Sequence, residues 1–328
     1  MLKVGAINVA VLAVAGLVLL AAMEAWLRLT VPASSTESIY AYTLKTARYK
    51  VMKPATSITA WGKELRTNDL GFRDQAATIP AKQPGELRIV VLGDSFTVAA
   101  GVDFADLYTS RLQEQLRRQL PQAKVINLAV GGYNIVQYAL VLQEVALGLQ
   151  PDLLLVALFP ENDFSMDTYD ENYAVASGRQ APPQPLAWPA STYVYRAYGS
   201  KVLARLQRMF HAPREGSTDD AHRGWNENAK AMKTITRMAR QYRIPLEVAL
   251  LPNTWHFEQQ RALFDRVEGL CRELEVSCLN LLDTFIAARV PESSLRLNAL
   301  DSHPNQRYQA IVADRLAAAL GNLHFPSP

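Results

Sequence analysis

Cysteine is almost missing from this chain: Cys271 and Cys278 are the only two in 328 residues. They do not form a Cys-x-x-Cys pair, which argues against a zinc site built on thiolates. A disulfide between them, which needs an oxidising compartment, and two separate buried thiols both stay open. Charge of one sign is lacking as well. Lysine and arginine number 34 against 31 acidic side chains, leaving a formal charge of +3 with no long basic block, so no nucleic-acid partner is indicated. The glycine patterns of nucleotide sites, Gly-x-Gly-x-x-Gly and Gly-Lys-Ser/Thr, do not occur, and neither does the Gly-x-Ser-x-Gly elbow of another serine-hydrolase fold. No internal repeat or low-complexity tract is found. What remains is a chain 49% apolar, able to bury a full core in one large α/β domain with an appendage.

One long apolar run is present. Val4 to Met23 is apolar except for Asn8, and at about 1.5 Å per residue it reaches roughly 30 Å, the thickness of a bilayer core. A cleaved signal would carry a shorter run followed by an Ala-x-Ala site, whereas Ala13-Val14-Ala15 lies inside this one. An uncleaved membrane anchor over 1–28 is therefore expected. Lys3 on one side is matched by Arg28 and Lys45 on the other, so charge does not orient it. Leu29 to Ala60 has no steady period and carries Pro32, Ser34, Ser35, Thr36 and Pro54, as in a linker. Arg66 to Arg73 mixes turn formers with Phe72, as in a loop pinned to a domain. Residues 29–86 read together as linker and pinned loops, and 87–328 as the main domain.

From Arg88 the pattern becomes regular. Ile89 to Leu92 is a continuous aliphatic run, the signature of a strand buried on both faces of a parallel sheet. Asp106 stands where it can cap a helix with Tyr108, Leu112, Leu116 and Leu120 on one face, closed by Pro121. Strands are expected at Val125–Leu128, Leu153–Phe159, Leu246–Leu251 and Val276–Leu282. Helices are expected through Val136 to Val145, at Ala229–Tyr242 and Phe257–Leu274, and from about Arg307 to Leu320, where Gly321 supplies a stop. Such alternation predicts a doubly wound α/β layer fold. Between 164 and 224 the rhythm breaks into a Tyr-, Pro- and Ser-rich insertion with a short helix at Tyr198–Phe210. Its Tyr169, Tyr173, Trp188, Tyr193, Tyr195 and Tyr198 either stack on sugar rings or pack the loop down.

Ligands bind at the carboxyl ends of strands in such sheets. Gly93-Asp94-Ser95 leaves the first strand there, with Gly93 permitting a tight turn. Taken alone it is either a nucleophile or a helix cap. Acyl transfer also needs a base, a group that orients the base, and donors for an oxyanion. Gly132 and Asn162 follow the next two strands, and Asp301 with His303 precedes the last helix. A glycine N–H and an asparagine amide serve as oxyanion donors, and an aspartate beside a histidine sets its tautomer. His256 is a second candidate base, while His211, His222 and His324 read as surface residues. A metal on Asp301 and His303 lacks an evident third ligand.

Gly93-Asp94-Ser95-Phe96-Thr97, Asn127 to Gly132, Glu161-Asn162-Asp163 and Asp301-Ser302-His303-Pro304-Asn305 resemble the four blocks of the SGNH (GDSL-type) hydrolases, in order, over about Arg88 to Leu320. The resemblance implies a flavodoxin-like three-layer α/β/α sandwich and a serine esterase or acyltransferase with no cofactor and no metal. By that resemblance Ser95 is the nucleophile and an oxyanion donor. Gly132 and Asn162 complete the hole, and His303 is the base with Asp301 as its partner. It also implies an extracytoplasmic domain, hence a single-pass bacterial inner-membrane protein facing the periplasm. Its substrate would be an acyl ester, carbohydrate-borne and acetylated, and its partners the envelope polysaccharide machinery.

Two departures stand out. Leu300 occupies the place three before His303 where many members have Asp. The Asp-x-His spacing instead resembles the membrane-anchored branch of polysaccharide O-acetyl esterases and transferases. Phe159-Pro160-Glu161 replaces the usual glycines before Asn162. Two other readings stay open: a non-catalytic carbohydrate-binding or scaffold protein, and a lipase or thioesterase that uses the anchor to sit at its substrate.

Overall fold

The computed structural model describes residues 2–30, 43–44, 49–164, 217–298 and 301–321. The chain divides into two units, 1–34 with 182–217 and 35–181 with 218–328. In the first, helix α1 (Leu2–Thr30) is 29 residues long, and Val11, Leu12, Val14, Leu17, Val18 and Leu19 are exposed along it. Among the described residues no helix is long and apolar enough to cross a membrane. The side chains of Val4 to Ala10, which the apolar run of the sequence requires, lie outside the described set.

The second unit begins with two short antiparallel pairs, β1 (Thr43–Leu44) with β2 (Lys50–Val51) and β3 (Ser57–Ala60) with β4 (Lys63–Arg66). Trp61 and Gly62 form the β3–β4 turn with φ of 49° and 74°. Both values lie in the left-handed region that a two-residue hairpin turn demands. This stretch reads as linker in sequence, yet Tyr49, Val51, Met52, Ala60, Leu65 and Phe72 belong to the main core. The strands are only four residues each, too short for a visible period, and Ser, Thr, Lys and Glu fill their outward positions.

Buried Arg73 fastens this hairpin to the domain. Its guanidinium donates to the carbonyls of Val98 (2.6 Å), Ala99 (2.7 Å) and Val102 (2.7 Å), and to Glu64 on β4 (3.2 Å). Burial pushes its pKa down to about 10 against the pull of Asp103 and Glu64, so it stays charged at neutral pH.

Five parallel strands form the central sheet: β5 (Leu87–Leu92), β6 (Ala123–Asn127), β7 (Leu153–Leu158), β8 (Leu246–Leu250) and β9 (Ser277–Asn280), in the order β6-β5-β7-β8-β9. β7 is buried at every position and β5 at all but its first, as strands covered on both faces must be. The chain runs outward from β5 to β6 and then crosses back to β7, which places a topological switch at the carboxyl ends of β5 and β7.

The helices are α2 (Ser95–Val98), α3 (Tyr108–Arg117), α4 (Ile135–Val141), α5 (Pro160–Asp163), α6 (Ser217–Gln241), α7 (Phe257–Glu273), α8 (Leu282–Ala287) and α9 (Gln306–Leu320). α3 turns Tyr108, Leu112 and Leu116 inward, each fully buried aliphatic side chain contributing about 1.5–3 kcal/mol.

Several boundaries differ from the sequence reading. Asp106 does not cap α3; it lies in a 3₁₀ turn and pairs with Arg111 at 2.5 Å. α3 stops at Arg117, short of Leu120 and Pro121. α6 begins at Ser217, inside the stretch read as insertion. β9 ends at Asn280 and gives way to α8, so the stretch read as one strand holds a strand and the start of a helix. Gly321 stops α9 with a right-handed φ of −62°. The expected helix at Tyr198–Phe210 lies outside the described residues. Cys271 on α7 and Cys278 on β9 are free thiols, and the neighbouring Cys271 together with burial raises the Cys278 pKa.

Arg73→Leu leaves the carbonyls around the α2 turn without their buried donor. The expected cost is on the order of 3 kcal/mol, read as a lower urea midpoint at unchanged slope.

Candidate active site

Every block of the sequence pattern ends at the carboxyl rim of the sheet. After β5 the backbone turns at Gly93 into α2. Gly93 is required for space rather than for an unusual φ: a Cβ there would stand 2.4 Å from Oγ1 of Thr97. Thr97 is itself fixed by a 2.9 Å hydrogen bond with the Tyr108 hydroxyl. Asp94 caps α2, its Oδ1 accepting the Phe96 N–H at 2.9 Å. Ser95 is the first residue of α2 and is partly exposed.

The histidine arrives from the far end of the chain. His303 Nε2 stands 3.1 Å from Ser95 Oγ across 208 positions of sequence. On the other side of the ring, Nδ1 lies 2.6 Å from Asp301 Oδ1, which also accepts the His303 backbone N–H at 2.9 Å. The two-residue spacing thus lets one carboxylate oxygen hold both the ring and the backbone of the histidine. The loop itself is pinned by hydrogen bonds from Leu297 N to His303 O (2.9 Å), from Thr254 Oγ1 to Ser302 O (2.7 Å), and from Asn305 Nδ2 to Ser294 O and Arg296 O (2.9 and 3.0 Å). Asn305 Oδ1 then caps α9. Buried Gln309 of α9 donates to Phe96 O at 3.0 Å and accepts from Tyr108 N at 2.9 Å, tying the histidine's helix to the serine's turn.

Gly132 is exposed at the rim with φ of 75°, and the chain re-enters α4 through a reciprocal cap between Asn134 and Gln137. Asn162 Nδ2 donates to Tyr133 O at 2.7 Å, with longer contacts to Asp94 Oδ2 (3.3 Å) and Asp163 Oδ1 (3.5 Å). The amide of Asn162 therefore bridges the rims of β5, β6 and β7. His256 is not brought to Ser95. It sits at the start of α7, and its backbone N–H donates to Glu292.

Three features of the site were not read from the sequence. The first is a pair of buried carboxyls. Burial, opposed by the Phe96 N–H and the charge of His303, raises Asp94 to about 7. Burial and the charge of Asp94 hold Asp163 well above the usual carboxylate range, against hydrogen bonds from Phe159 N and Tyr138. The second is an aromatic layer in which Phe159, standing where glycine is usual, stacks on Phe96 at 4.1 Å. The third is Trp61, whose ring centroid lies 6.4 Å from that of His303. Its flanking strands are four residues each, too short to mark its turn in the sequence.

Partial burial works against a charge on His303, but the hydrogen bond and charge of Asp301, with Asp94 behind, outweigh it and raise its pKa above 6.5. For Asp301 burial is likewise outweighed, by the bonds and charge of His303, so its pKa falls. A serine, a histidine poised as acceptor and a carboxylate that fixes the ring are the parts of a proton-transfer chain for nucleophilic attack.

Residues 91–311 match the model of the GDSL-like lipase/acylhydrolase family, which spans the site from the end of β5 to α9. The fold and this match define a class of ester hydrolases, and the chain belongs to that family. Solved structures of similar fold include TesA (14% identity over 71% of this chain and 97% of that one, TM-score 0.45) and the acetyl xylan esterase AlAXEase (14%, 71% and 99%, TM-score 0.44). A mutant of Axe2, an acetyl-xylooligosaccharide esterase from Geobacillus Stearmophilus, is also similar (12%, 76% and 99%, TM-score 0.45). No curated protein matches the chain.

A base accepts a proton only when neutral. Hydrolysis of an aryl acetate should therefore climb with pH through an apparent pKa above the 6.5 ordinary for histidine. Asp301→Asn removes the charge that raises it, so this limb should move to lower pH while kcat falls at least about 100-fold; a pH profile of kcat/KM reads both.

Proposed function

We propose that the protein is a membrane-anchored serine O-acyl esterase or O-acyltransferase acting on short acyl esters, chiefly acetyl groups, of envelope or secreted carbohydrate. The observation that carries this reading is the continuous chain from Ser95 Oγ to His303 Nε2 (3.1 Å) and from Nδ1 to Asp301 (2.6 Å) at the sheet's switch point. In the first step Ser95 Oγ bonds to the ester carbonyl carbon as its proton passes to His303 Nε2. The oxyanion takes hydrogen bonds from the N–H groups of Ser95 and Gly132 and from Asn162 Nδ2. The C–O bond to the alcohol then breaks, and His303 returns the proton to the departing oxygen. Water, or a hydroxyl of an acceptor sugar, next gives its proton to His303 and attacks the acyl-serine; the bond from the acyl carbon to Ser95 Oγ then breaks as His303 returns the proton to that oxygen. Asp301 stays ionised throughout and stabilises the imidazolium.

The stacked Phe96 and Phe159 beside the nucleophile place bulk where the family's usual glycines would leave room, and this favours a short acyl group. Support for the anchor is the apolar run Val4 to Met23 in helix α1, with the catalytic unit on the periplasmic side of the bacterial inner membrane.

Intact-mass analysis of the full-length protein after treatment with a fluorophosphonate is the test. One adduct is expected, lost in Ser95→Ala together with acetyl-ester turnover. An adduct that persists in Ser95→Ala, or unchanged turnover, contradicts the mechanism. Asn162→Ala should lower kcat by roughly 10²- to 10³-fold. Across acetyl, butyryl and octanoyl esters kcat/KM should fall; a rise, to which each buried CH₂ would contribute up to about 0.8 kcal/mol, indicates a lipid-directed enzyme instead.

A further inference from the structure

The loop that follows β8, residues 252–256, is fastened to the site from both sides. Asn253 Nδ2 donates to Glu161 Oε2 at 2.5 Å, beside the oxyanion donor Asn162. Thr254 Oγ1 donates to Ser302 O at 2.7 Å, between Asp301 and His303. Tyr308 of α9 adds a hydrogen bond from its hydroxyl to Pro252 O at 2.8 Å. From α7, buried Gln260 accepts from Asn253 N at 2.8 Å and donates to Asn253 O and Trp255 O at 3.2 and 2.6 Å. A loop with this many partners is a rigid mount. Yet the side chain it carries outward, Trp255, is 36% exposed, a large aromatic surface left at the rim instead of being packed into the core.

Arg296 lies over that indole, its Cζ 3.7 Å from the ring centroid. Its backbone belongs to the frame of the histidine's loop: Arg296 is bridged to Pro304, the residue after His303, and its carbonyl accepts from Asn305 Nδ2 at 3.0 Å. Arg88, Arg111 and Arg261 each pair with a carboxylate. Half-buried Arg296 does not: among the described residues no carboxylate pairs with it and none of its N–H groups donates a hydrogen bond. Glu292, which holds the residues just past Trp255, is engaged by the His256 and Phe257 N–H groups at 2.7 and 3.0 Å. Stacking on an indole uses the face of a guanidinium and leaves its N–H edge for a partner, and that planar edge matches the two oxygens of a carboxylate.

We propose that Arg296 and Trp255 form a subsite at the mouth of the active site for the carboxylate of an acidic sugar: the guanidinium, held on the indole, takes that carboxylate while a neighbouring residue of the same saccharide brings its acyl ester to Ser95. The proposal rests on the serine-hydrolase reading of the site and narrows its substrate to acyl esters of polysaccharide that contains uronic acid. The loop after β8 then has a task of its own. It joins the oxyanion side of the site, through Glu161, to the base side, through Ser302, and presents between them the support for an anion-binding arginine.

The test uses the full-length protein with acetylated galacturonic acid oligosaccharides and acetylated xylo-oligosaccharides of equal length. The parent is expected to favour the acidic series by roughly 10-fold in kcat/KM, chiefly through KM. That preference should vanish when the carboxylates are methyl-esterified, and shrink as sodium chloride is raised from about 20 to about 500 mM. Arg296→Gln is expected to lower the acidic-to-neutral ratio of kcat/KM roughly 5- to 20-fold. Arg296→Lys should fall between it and the parent, since an ammonium keeps the charge without the planar fork. Trp255→Ala removes the support of the guanidinium and is expected to lower the ratio about 2- to 5-fold. Because the Arg296 side chain donates to no described group, Arg296→Gln should melt close to the parental temperature.

A parent that treats the two series alike overturns the proposal. So does an Arg296→Gln ratio equal to the parent's, even where both rates fall together, which would mark a purely structural role. If the parent neither turns over ester nor takes the fluorophosphonate, it is the serine-hydrolase reading that fails. Calorimetry with unacetylated oligogalacturonate then still decides the subsite: binding in the parent that weakens in Arg296→Gln supports it, and no binding, or equal binding in both, overturns it.

Discussion

The 3.1 Å approach of His303 Nε2 to Ser95 Oγ is the constraint on which the rest of this structure turns, because its two partners belong to elements at opposite ends of the domain. Ser95 is placed by β5, whose buried aliphatic residues leave it no freedom within the sheet, and by Gly93, where the Thr97 side chain occupies the space a Cβ would need. His303 is placed by a loop pinned at Leu297, Thr254 and Asn305. Gln309 then joins α9 to the serine's own turn through Phe96 O. Hydrogen bonds to backbone groups, rather than side-chain packing alone, therefore set the distance between nucleophile and base. Backbone partners resist displacement more firmly than mobile side chains, and a proton transfer depends on tenths of an ångström.

Beneath that contact lies an electrostatic layer that is unusual for a protein interior. Asp94 and Asp163 are both buried, and Asn162 donates toward each of them while also holding Tyr133 O at 2.7 Å. Burial raises both carboxyls, and the charge of Asp94 raises Asp163 further. The arrangement gives Asn162 a fixed orientation and supplies negative charge behind His303, strengthening its basicity alongside Asp301. The same residues that hold the amide in place thus tune the base.

Much of this was legible in the sequence because it is written in short local signals. The aliphatic runs from Ile89 and Leu153 declare strands buried on both faces, and Gly93-Asp94-Ser95, Gly131-Gly132 and Asn162-Asp163 follow strands at the rim. Membership of the acylhydrolase family follows from the same blocks. The boundaries that slipped did so where local preference is divided. Val276 to Leu282 reads as one strand, yet it holds the short β9 and the start of α8. Asp106 has the chemistry of a cap but is drawn to Arg111 instead.

Trp61 was illegible for a different reason. Its neighbour His303 lies far along the chain, its strands are four residues each, and its turn carries a residue that turn preferences disfavour. Arg73 was equally hidden, since nothing local distinguishes a buried arginine that caps carbonyls from a solvated one. Both are tertiary facts, made by the way the hairpin folds back on the rim.

The most direct measurement is a crystal structure of the full-length protein inactivated by a small phosphonate. The expected result is phosphorus bonded to Ser95 Oγ, with one phosphoryl oxygen within hydrogen-bond distance of the Gly132 N–H and Asn162 Nδ2, and His303 still bridging to Asp301. Phosphorus on another side chain, or a phosphoryl oxygen turned away from both Gly132 and Asn162, would contradict the account.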